Sequence, residues 1–226
     1  MDYYARQIAL NGLEIQAIKL SPGRPFIWAS GYQMPIYNDN RMFLAFPNSR
    51  KLIAEGFENV IRENALFYDF IAGTSTAGIS PATTLADRNG APLCYVRDKP
   101  KDHGLKNQIE GLDATKDFEG KRVILIEDLI STGGSSVAAV QAIRNANGRI
   151  DACLSIFNYD LEPAVKEFEK IDCKVFSLLH YDQLLEIAIE KNYISEEQRR
   201  ILEEWRADPF GWGEKHGFPK VEKDKK

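Results

Sequence analysis

The stretch VILIEDLISTGGSS, residues 123–136, joins an apolar run, two adjacent acids and a loop of small polar residues. Residues 123–126 are apolar and mostly β-branched, which is typical of a strand buried on both faces of a parallel sheet. Glu127 and Asp128 then follow at the predicted carboxyl end of this strand, the edge where open α/β sheets bind ligands. The loop 131–135 leads into a predicted helix whose first amides lack intrahelical acceptors. The stretch therefore predicts a ligand site at the edge of a parallel sheet.

Strands and helices alternate along the rest of the chain. The predicted strands span 68–73, 92–96, 122–127, 152–159 and 174–179. The predicted helices span 2–16, 48–64, 78–89, 134–147 and 161–170, with two closing helices within 180–209. This alternation predicts right-handed βαβ units, and so an α/β fold with a parallel sheet of about five strands flanked by helices. We expect residues 17–46 to be irregular and 214–226 to form a frayed, charged tail.

Composition limits the class of protein. The 226 residues are 44% hydrophobic and carry a formal net charge of −4, which predicts one globular domain over 1–226 and disfavours nucleic-acid binding. No apolar run approaches the roughly 20 residues that cross a bilayer, and the N-terminus lacks a signal-peptide pattern, so we expect no membrane association. Cys94, Cys153 and Cys173 show no CxxC spacing, which favours a reducing cytoplasm. Cys94 lies on a predicted buried strand and is expected to be inert.

The residue types after the predicted strand indicate what the site binds. Hydroxyls and closely approaching amides at a helix N-terminus suit a dianionic phosphate; here they come from Ser131, Thr132, Gly133, Gly134 and Ser135. Carboxylates do not bind phosphate but accept hydrogen bonds from a cis diol. The acid pair and the loop together predict a ribose 5-phosphate site. The alternative is a helix cap beside an ion-paired acid pair.

Two more loops leave strand ends. The loop RDKPKDHGLKNQIEG, residues 97–111, is long and polar, and Arg97, Lys99, Lys101 and His103 supply donors for a polyanion such as pyrophosphate. The alternative is a solvated charged loop, since acids partly balance these cations. The loop AGTSTAGIS, residues 72–80, either cradles a second anion or is a small-residue packing turn.

Four motifs together resemble a known family. The pattern E-D-x-I-S-T-G-G-S at 127–135 is similar to the motif with which type I phosphoribosyltransferases bind 5-phosphoribosyl 1-diphosphate, PRPP. Three further motifs resemble the orotate phosphoribosyltransferases in particular: WASGYQMPIYNDNR (28–41), DFIAGTSTAGIS (69–80), and YVRDKPKDHG (95–104) followed by NQIEG. The similarity runs from about residue 10 to 206, with the motifs in the expected order.

The resemblance implies a type I phosphoribosyltransferase-like fold. It implies an N-terminal helix and small hood within about 1–46, an α/β core over 47–180, C-terminal helices and tail over 181–226, and a flexible catalytic loop. The implied reaction transfers phosphoribose from PRPP to orotate with Mg²⁺, giving orotidine 5′-monophosphate and pyrophosphate in de novo pyrimidine biosynthesis. The implied assembly is a homodimer in which the 97–111 loop reaches the neighbouring active site.

Roles carried over by position follow from this resemblance. The implied catalytic residues are Lys101, His103 and Asp128. The implied PRPP-binding residues are Thr74, Ser75, Thr76, Arg97, Lys101, His103, Glu127, Asp128, Leu129, Ile130, Ser131, Thr132, Gly133, Gly134 and Ser135. Ser131, Arg41 and Tyr37 are expected to bind orotate. No protein metal ligand is expected, because Mg²⁺ would travel on substrate oxygens and waters.

The chain departs from better-known bacterial members at several positions. Asp98, Ala77 and Ala29 stand where those members carry basic residues, and FNYD (157–160) lacks an arginine. Met34 and Lys106 replace small residues. Two alternatives stay open: a phosphoribosyltransferase for another base, and a non-catalytic PRPP sensor. An intact loop with Lys101 and His103 disfavours the sensor, which has no leaving group to stabilise.

Overall fold

The structure is a computed structural model that describes residues 2–99, 108–113 and 116–222. Its strands are β1 Ile18–Leu20, β2 Phe26–Ile27, β3 Gln33–Met34, β4 Ile36–Asn38, β5 Phe70–Thr74, β6 Leu93–Val96, β7 Ile109–Glu110, β8 Val123–Ile130, β9 Ala152–Asn158 and β10 Lys174–His180. Its helices are α1 Tyr3–Glu14, α2 Pro47–Glu63, α3 Ile79–Asn89, α4 Gly134–Asn145, α5 Glu162–Lys170, α6 Tyr181–Glu190, α7 Glu196–Ala207 and α8 Trp212–Lys215, with a 3₁₀ helix at Asn40–Ala45. The predicted α/β architecture is confirmed.

The central sheet has six strands in the order β10-β9-β8-β5-β6-β7. All neighbours pair in parallel except β6 and β7, which are antiparallel. The prediction of about five parallel strands did not include β7, because its two residues lie inside the long, polar loop 97–111. Ile109 is only 2% exposed, which anchors the carboxyl end of that loop in the core.

Helices cover both faces of the sheet, as the continuous apolar character of its strands predicts. Alternate residues of β8 enter different cores, with Ile124 and Ile126 on one face and Val123 and Leu125 on the other. The first core includes residues of α1, α2, α3, α6 and α7, and the second includes residues of α4 and α5. Among the described residues, no helix is long and apolar enough to cross a membrane.

Strand β8 is longer than its sequence suggests. We expected it to end at Glu127, but the ladder with β9 continues through the pairs Leu129↔Phe157 and Ile130↔Asn158. Backbone pairing depends little on side-chain polarity, so the acids do not terminate the strand. Glu127 and Asp128 therefore lie within β8, and their two carboxyl groups are close enough to interact with each other.

The hood, residues 17–46, was predicted to be irregular, and this prediction was wrong. Strand β1 pairs antiparallel with β4, β2 pairs with β3, and the 3₁₀ helix follows. These strands have only two or three residues, too few for an alternating pattern to be recognised. The hood places the 3₁₀ helix next to Asp128, and it places Asn38, at the end of β4, near Leu129 and Ser131.

The C-terminal segment is also more ordered than predicted. Beyond α8, the backbone amide of Val221 donates to the Gly31 carbonyl at 3.0 Å, and Gln33 Nε2 donates to the Pro219 carbonyl at 2.8 Å. The prediction of a frayed tail was wrong for residues 214–222, because they pack on the β2–β3 hairpin. Residues 223–226 lie outside the described residues.

Trp205 joins the C-terminal helices to the hood. It is completely buried on α7, and its Nε1 donates to the Met34 sulfur at 3.0 Å. Its ring centroid lies 5.4 Å from that of Tyr159 and 6.2 Å from that of Trp28. This contact holds the C-terminal helices against the hood, and it explains why a long, polarisable side chain occupies position 34.

Candidate active site

Three loops meet at one edge of the sheet. Strands β8, β5 and β6 are parallel neighbours, so their carboxyl ends lie side by side. The residues at these ends are Ser131, Thr74 and Arg97. The fold thus brings together the three anion-binding loops predicted from the sequence.

Glu127 is buried in a hydrogen-bond network at this edge. The Thr74 hydroxyl donates to Oε1 at 2.6 Å, and the Ser136 hydroxyl donates to Oε2 at 2.8 Å. The backbone amide of Asp128 also donates to Oε1, at 3.0 Å. Burial, and secondarily the charge of Asp128, raise the pKa of Glu127 well above its usual range. Glu127 therefore connects β8 to the loop after β5 and to α4.

Asp128 faces the hood. Its backbone carbonyl accepts a hydrogen bond from Asn40 Nδ2 at 2.6 Å, and it lines a narrow pocket with Arg41 and Ala77. Burial raises the pKa of Asp128. Of the two acids, Asp128 is the more exposed.

The loop after β8 forms a backbone cradle at the start of α4. Gly133 caps the helix with φ of +81°, a conformation that favours glycine, and a Cβ there would lie 3.3 Å from Ala164 Cα. No side chain of the described residues caps the helix. Gly134 and Ser135 are exposed, and Ser131 and Thr132 are half-buried. The first amides of α4 are thus available to an anion.

A second pocket, called here the turn pocket, lies beyond β5. It has a volume of about 490 Å³ and is lined by Ser75, Thr76, Ile79, Tyr95, Arg97, Asp98 and Lys99. Arg97 Nη1 lies 3.3 Å from a Glu110 carboxylate oxygen, so β7 helps to position the guanidinium. The start of α3 packs closely on β8. A Cβ on Gly78 would lie only 2.6 Å from the Ile126 carbonyl oxygen, so a larger residue does not fit there.

A third space, called here the hood cavity, opens between the hood and the loop after β8. Its volume is about 580 Å³, within the range typical of small-molecule sites. It is lined by Ile27, Trp28, Ala29, Ser30, Tyr37, Asn38, Leu129, Ser131 and Tyr159, none of which is charged. Tyr37 and Ser131, both predicted to bind orotate, meet here.

The third residue predicted to bind orotate lies elsewhere. Arg41 pairs with Asp39, with Nε 2.6 Å from Oδ1, and its side chain is 63% exposed. It lines the narrow pocket beside Asp128 rather than the hood cavity. Asp39 above all, and to a lesser degree Tyr37 and Asp128, raise the pKa of Arg41, so its guanidinium lies near both Tyr37 and the acid pair and its role in orotate binding stays a prediction.

The chain is similar to known proteins over most of its length. A profile of the phosphoribosyl transferase domain matches residues 39–181. The chain is 45% identical to the orotate phosphoribosyltransferase of Cutibacterium acnes over 94% of this chain and 96% of that one. It is also 45% identical to that of Listeria innocua, over 92% and 98% of the two chains. The chain belongs to the orotate phosphoribosyltransferase family.

Solved structures agree with this family fold. Leishmania donovani UMP synthase superposes with a TM-score of 0.74 at 25% identity, covering 90% of this chain. This chain spans only 42% of that longer protein. The Aeropyrum pernix orotate phosphoribosyltransferase superposes with a TM-score of 0.69 at 24% identity, covering 83% of this chain and 99% of the other.

The remaining residues predicted to bind PRPP differ in where the structure places them. Ile130 is buried in the core, so any contact that it makes with PRPP would come from its backbone. The Thr74 hydroxyl already donates a hydrogen bond to Glu127. Leu129 lines the hood cavity. Lys101 and His103, with Lys106, lie outside the described residues. All of these assignments stay predictions.

Sequence reasoning missed three residues of the site. Ser136 binds Glu127, Asn40 binds the Asp128 carbonyl, and Asn38 lines the hood cavity. Ser136 follows a loop already rich in hydroxyls, and only the geometry of α4 shows that Ser136 faces inward while Ser135 is exposed. A signal for Asn38 and Asn40 was present, because both lie inside a motif that resembles the family.

Proposed function

We propose that this protein transfers the 5-phosphoribosyl group from PRPP to orotate, forming orotidine 5′-monophosphate and pyrophosphate in de novo pyrimidine biosynthesis. The observation that carries the proposal is the position of the acid pair, which lies on β8 between the hood cavity and the turn pocket. The names of relatives that match over almost their whole length support the same reaction.

Each part of the site suits one part of PRPP. The cradle 131–135 would hold the 5-phosphate through amides and hydroxyls. Asp128 would accept hydrogen bonds from the ribose hydroxyls, with Glu127 holding the surrounding strand and loops in place. The turn pocket, with Arg97, Ser75 and Thr76, would receive the pyrophosphate.

The reaction replaces a bond from the anomeric carbon to pyrophosphate with a bond to N1 of orotate. Positive charge develops on the ribose ring while negative charge develops on the leaving group, as in glycoside cleavage. A carboxylate near the ribose stabilises the first charge, and Arg97 with backbone amides stabilises the second. The hood cavity would hold the base against Ser131 on the side of the ribose opposite the turn pocket.

Mg²⁺ is proposed to enter with PRPP. Within the described ranges, no group of three or more histidine, cysteine, aspartate or glutamate side chains is arranged to hold a metal. The donor set fits an ion that keeps several waters and binds mainly substrate oxygens, with Asp128 as the nearby carboxylate. Bound Mg²⁺ would supply positive charge that neutralises the pyrophosphate.

A homodimer is proposed, with Lys101 and His103 of one subunit acting at the site of the other. The 3₁₀ helix supports an association surface, since Met42, Leu44 and Phe46 are all exposed on it or directly after it. Apolar side chains clustered on a surface in this way are typical of interfaces.

A cytoplasmic location is proposed as well, supported by three buried free cysteines. Burial raises the pKa of Cys94 to about 12, which supports the expectation that this thiol is inert.

The reaction is tested by following orotate absorbance with PRPP and Mg²⁺. Parallel reactions contain adenine, hypoxanthine or uracil in place of orotate. We expect orotate to be consumed and orotidine 5′-monophosphate to appear, with little product from the other bases. Preferred use of another base would replace the substrate, and PRPP binding without turnover of any base would indicate a sensor.

The shared active site is tested by mixing two inactive variants. Lys101→Ala is expected to lower turnover by about 10²- to 10³-fold, as for loss of one electrostatic donor. When it is mixed with Asp128→Asn, random pairing makes half of the dimers mixed, each with one intact site, so activity should approach about a quarter of wild type. No recovery despite demonstrated subunit exchange would place Lys101 over its own subunit's site.

A further inference from the structure

The β2–β3 hairpin forms part of the wall of the hood cavity, yet it is too short to be stable by itself. Two residue pairs join its strands, Phe26 with Met34 and Ile27 with Gln33. An isolated two-stranded hairpin is marginally stable at best in water. Residues 27–30 supply four of the nine residues that line the cavity. The shape of the cavity therefore depends on what holds the hairpin in place.

The core holds the base of this hairpin, whereas its tip is exposed. The ring centroid of Trp28 lies 5.8 Å from that of Tyr159 and 6.2 Å from that of Trp205. Ala29 and Ser30, at the tip, are both exposed to solvent. Exposed loop tips are mobile unless another segment supports them.

A segment called here the C-terminal strap, residues 208–222, supports the tip through hydrogen bonds. The backbone amide of Val221 donates to the Gly31 carbonyl at 3.0 Å, and Gln33 Nε2 donates to the Pro219 carbonyl at 2.8 Å. The two backbones are so close that a Cβ on Gly31 would lie 2.4 Å from the Val221 carbonyl oxygen. The strap therefore contacts the hairpin directly at its turn.

Side chains add to these contacts. The ring centroid of Tyr32, next to the tip, lies 5.2 Å from that of Phe210, and Lys220 Nζ lies 4.4 Å from the centroid of Tyr32. Aromatic and cation–π contacts of this kind are favourable. Trp212 is 1% exposed and belongs to the first core, so it anchors the other end of the strap. The strap thus connects the core to the tip of the hairpin.

We propose that the C-terminal strap is a positioning element for the base: it fixes the tip of the hairpin and so sets the shape of the hood cavity. This inference rests on the proposed function, in which the hood cavity holds orotate. No residue of the described strap, 208–222, lines the cavity, so the strap acts through the hairpin.

The strap should affect the two substrates differently. A hairpin that is already ordered loses little conformational freedom when the base binds, which favours orotate binding. The cradle 131–135 and the turn pocket follow β8, β5 and β6 and contain no residue of the hairpin. Loss of the strap contacts should therefore weaken binding of orotate and leave binding of PRPP unchanged.

The test is the double variant Gln33→Met, Val221→Pro in the full chain. Methionine keeps the length of the side chain without the Nε2 donor, and proline has no backbone N–H. We expect KM for orotate to rise by about 3- to 30-fold, as for loss of two hydrogen bonds that order the site. Kd for PRPP, measured without orotate, should change by less than about twofold. Unchanged KM for orotate overturns the proposal.

Two control variants separate positioning from general stability. Val221→Ala keeps the backbone donor and shortens a side chain that is 38% exposed, so KM for orotate should not change. Ser195→Ala removes the cap of α7, in which Ser195 Oγ accepts from the Gln198 amide at 3.2 Å. It should lower the melting temperature without changing KM for orotate. If either control raises this KM as much as the double variant does, the strap contacts are not responsible and the proposal is wrong.

Hydrogen exchange gives a readout that does not depend on activity. The Trp28 amide donates to the Tyr32 carbonyl at 2.9 Å, and the Gly31 amide donates to the Trp28 carbonyl at 2.9 Å. Exchange within residues 26–34 should become at least about threefold faster in the double variant, with exchange in β8 unchanged. Unchanged exchange in the hairpin overturns the proposal, and so does faster exchange with an unchanged KM for orotate.

The outcomes also separate this inference from the proposed function. Absence of orotate consumption by the wild type would refute the proposed function itself. Normal consumption by the wild type, with the same KM for orotate in the double variant, refutes only the role of the strap. Should the double variant not fold, Val221→Pro alone serves in the same assays with the same criteria.

Discussion

Substitution of Glu127 by glutamine should stabilise the unliganded protein at alkaline pH. Glutamine has nearly the same shape: its oxygen can accept from the Thr74 hydroxyl and the Asp128 amide, and its amide nitrogen can donate to Ser136 Oγ. The substitution therefore keeps the hydrogen bonds and removes only the charge. Because Glu127 is 5% exposed, the charge lies where solvation is weakest.

The magnitude follows from burial and hydrogen bonding. Burying a carboxylate costs several kcal/mol, and its hydrogen bonds offset only part of that cost, because the pKa of Glu127 is still raised from 4.5 to about 8. One pKa unit corresponds to about 1.4 kcal/mol, so we expect a residual cost on the order of a few kcal/mol for the charged form. In a chain of this size, 1 kcal/mol corresponds to about 2–4 °C in melting temperature.

The sign depends on pH. The folded-state pKa of Glu127 is raised above its ordinary value of 4.5, so the folded protein holds this proton more tightly than the unfolded chain does. The resulting stability is fully present below that ordinary value and is lost as pH rises toward the folded-state pKa. The advantage of Glu127→Gln should therefore be small at pH 5 and largest at pH 8.

The assay is urea unfolding of both proteins without ligand at several pH values, since the difference between them cancels groups that titrate alike. Glu162→Gln is the matched control: Lys166 lowers the pKa of this exposed acid, so this variant should gain no stability as pH rises. If Glu127→Gln is no more stable than wild type at pH 8, or if its advantage does not change with pH, the reasoning is wrong.

Three other substitutions test the site and the packing. Asp128→Asn should weaken PRPP binding and turnover together without changing the fold, and unchanged PRPP affinity would remove the ribose assignment. Gly134 has open space around its Cβ position, so Gly134→Ala should be tolerated, whereas Gly134→Glu should abolish thermal protection by orotidine 5′-monophosphate; preserved protection would place the phosphate elsewhere. Trp205→Ala should cost about 3–5 kcal/mol in urea unfolding, and a loss below about 1 kcal/mol would contradict its role as the contact with Met34.

Much of the fold was readable from local sequence. The five parallel strands and the helices between them were predicted because apolar runs and helical spacing repeat within ten or so residues. The cradle at 131–135 was predicted for the same reason, since glycine and hydroxyl residues at the start of a helix act locally. The two strands of the β1–β4 pair were missed because each has only three residues and finds its partner far along the chain.

The partners of the side chains, unlike the strands and helices, could not be read from local sequence. The amino-acid sequence alone predicted Glu127 and Asp128 as site residues, and its motifs pointed to the family. Only the tertiary structure decided that Glu127 is buried between Thr74 and Ser136 while Asp128 faces the hood, and that Asn38 has no partner of its own among the described residues. The physical reason is that strand and helix patterns reside in neighbouring residues, whereas burial and hydrogen-bond pairing depend on which distant segments the packed sheet brings into contact.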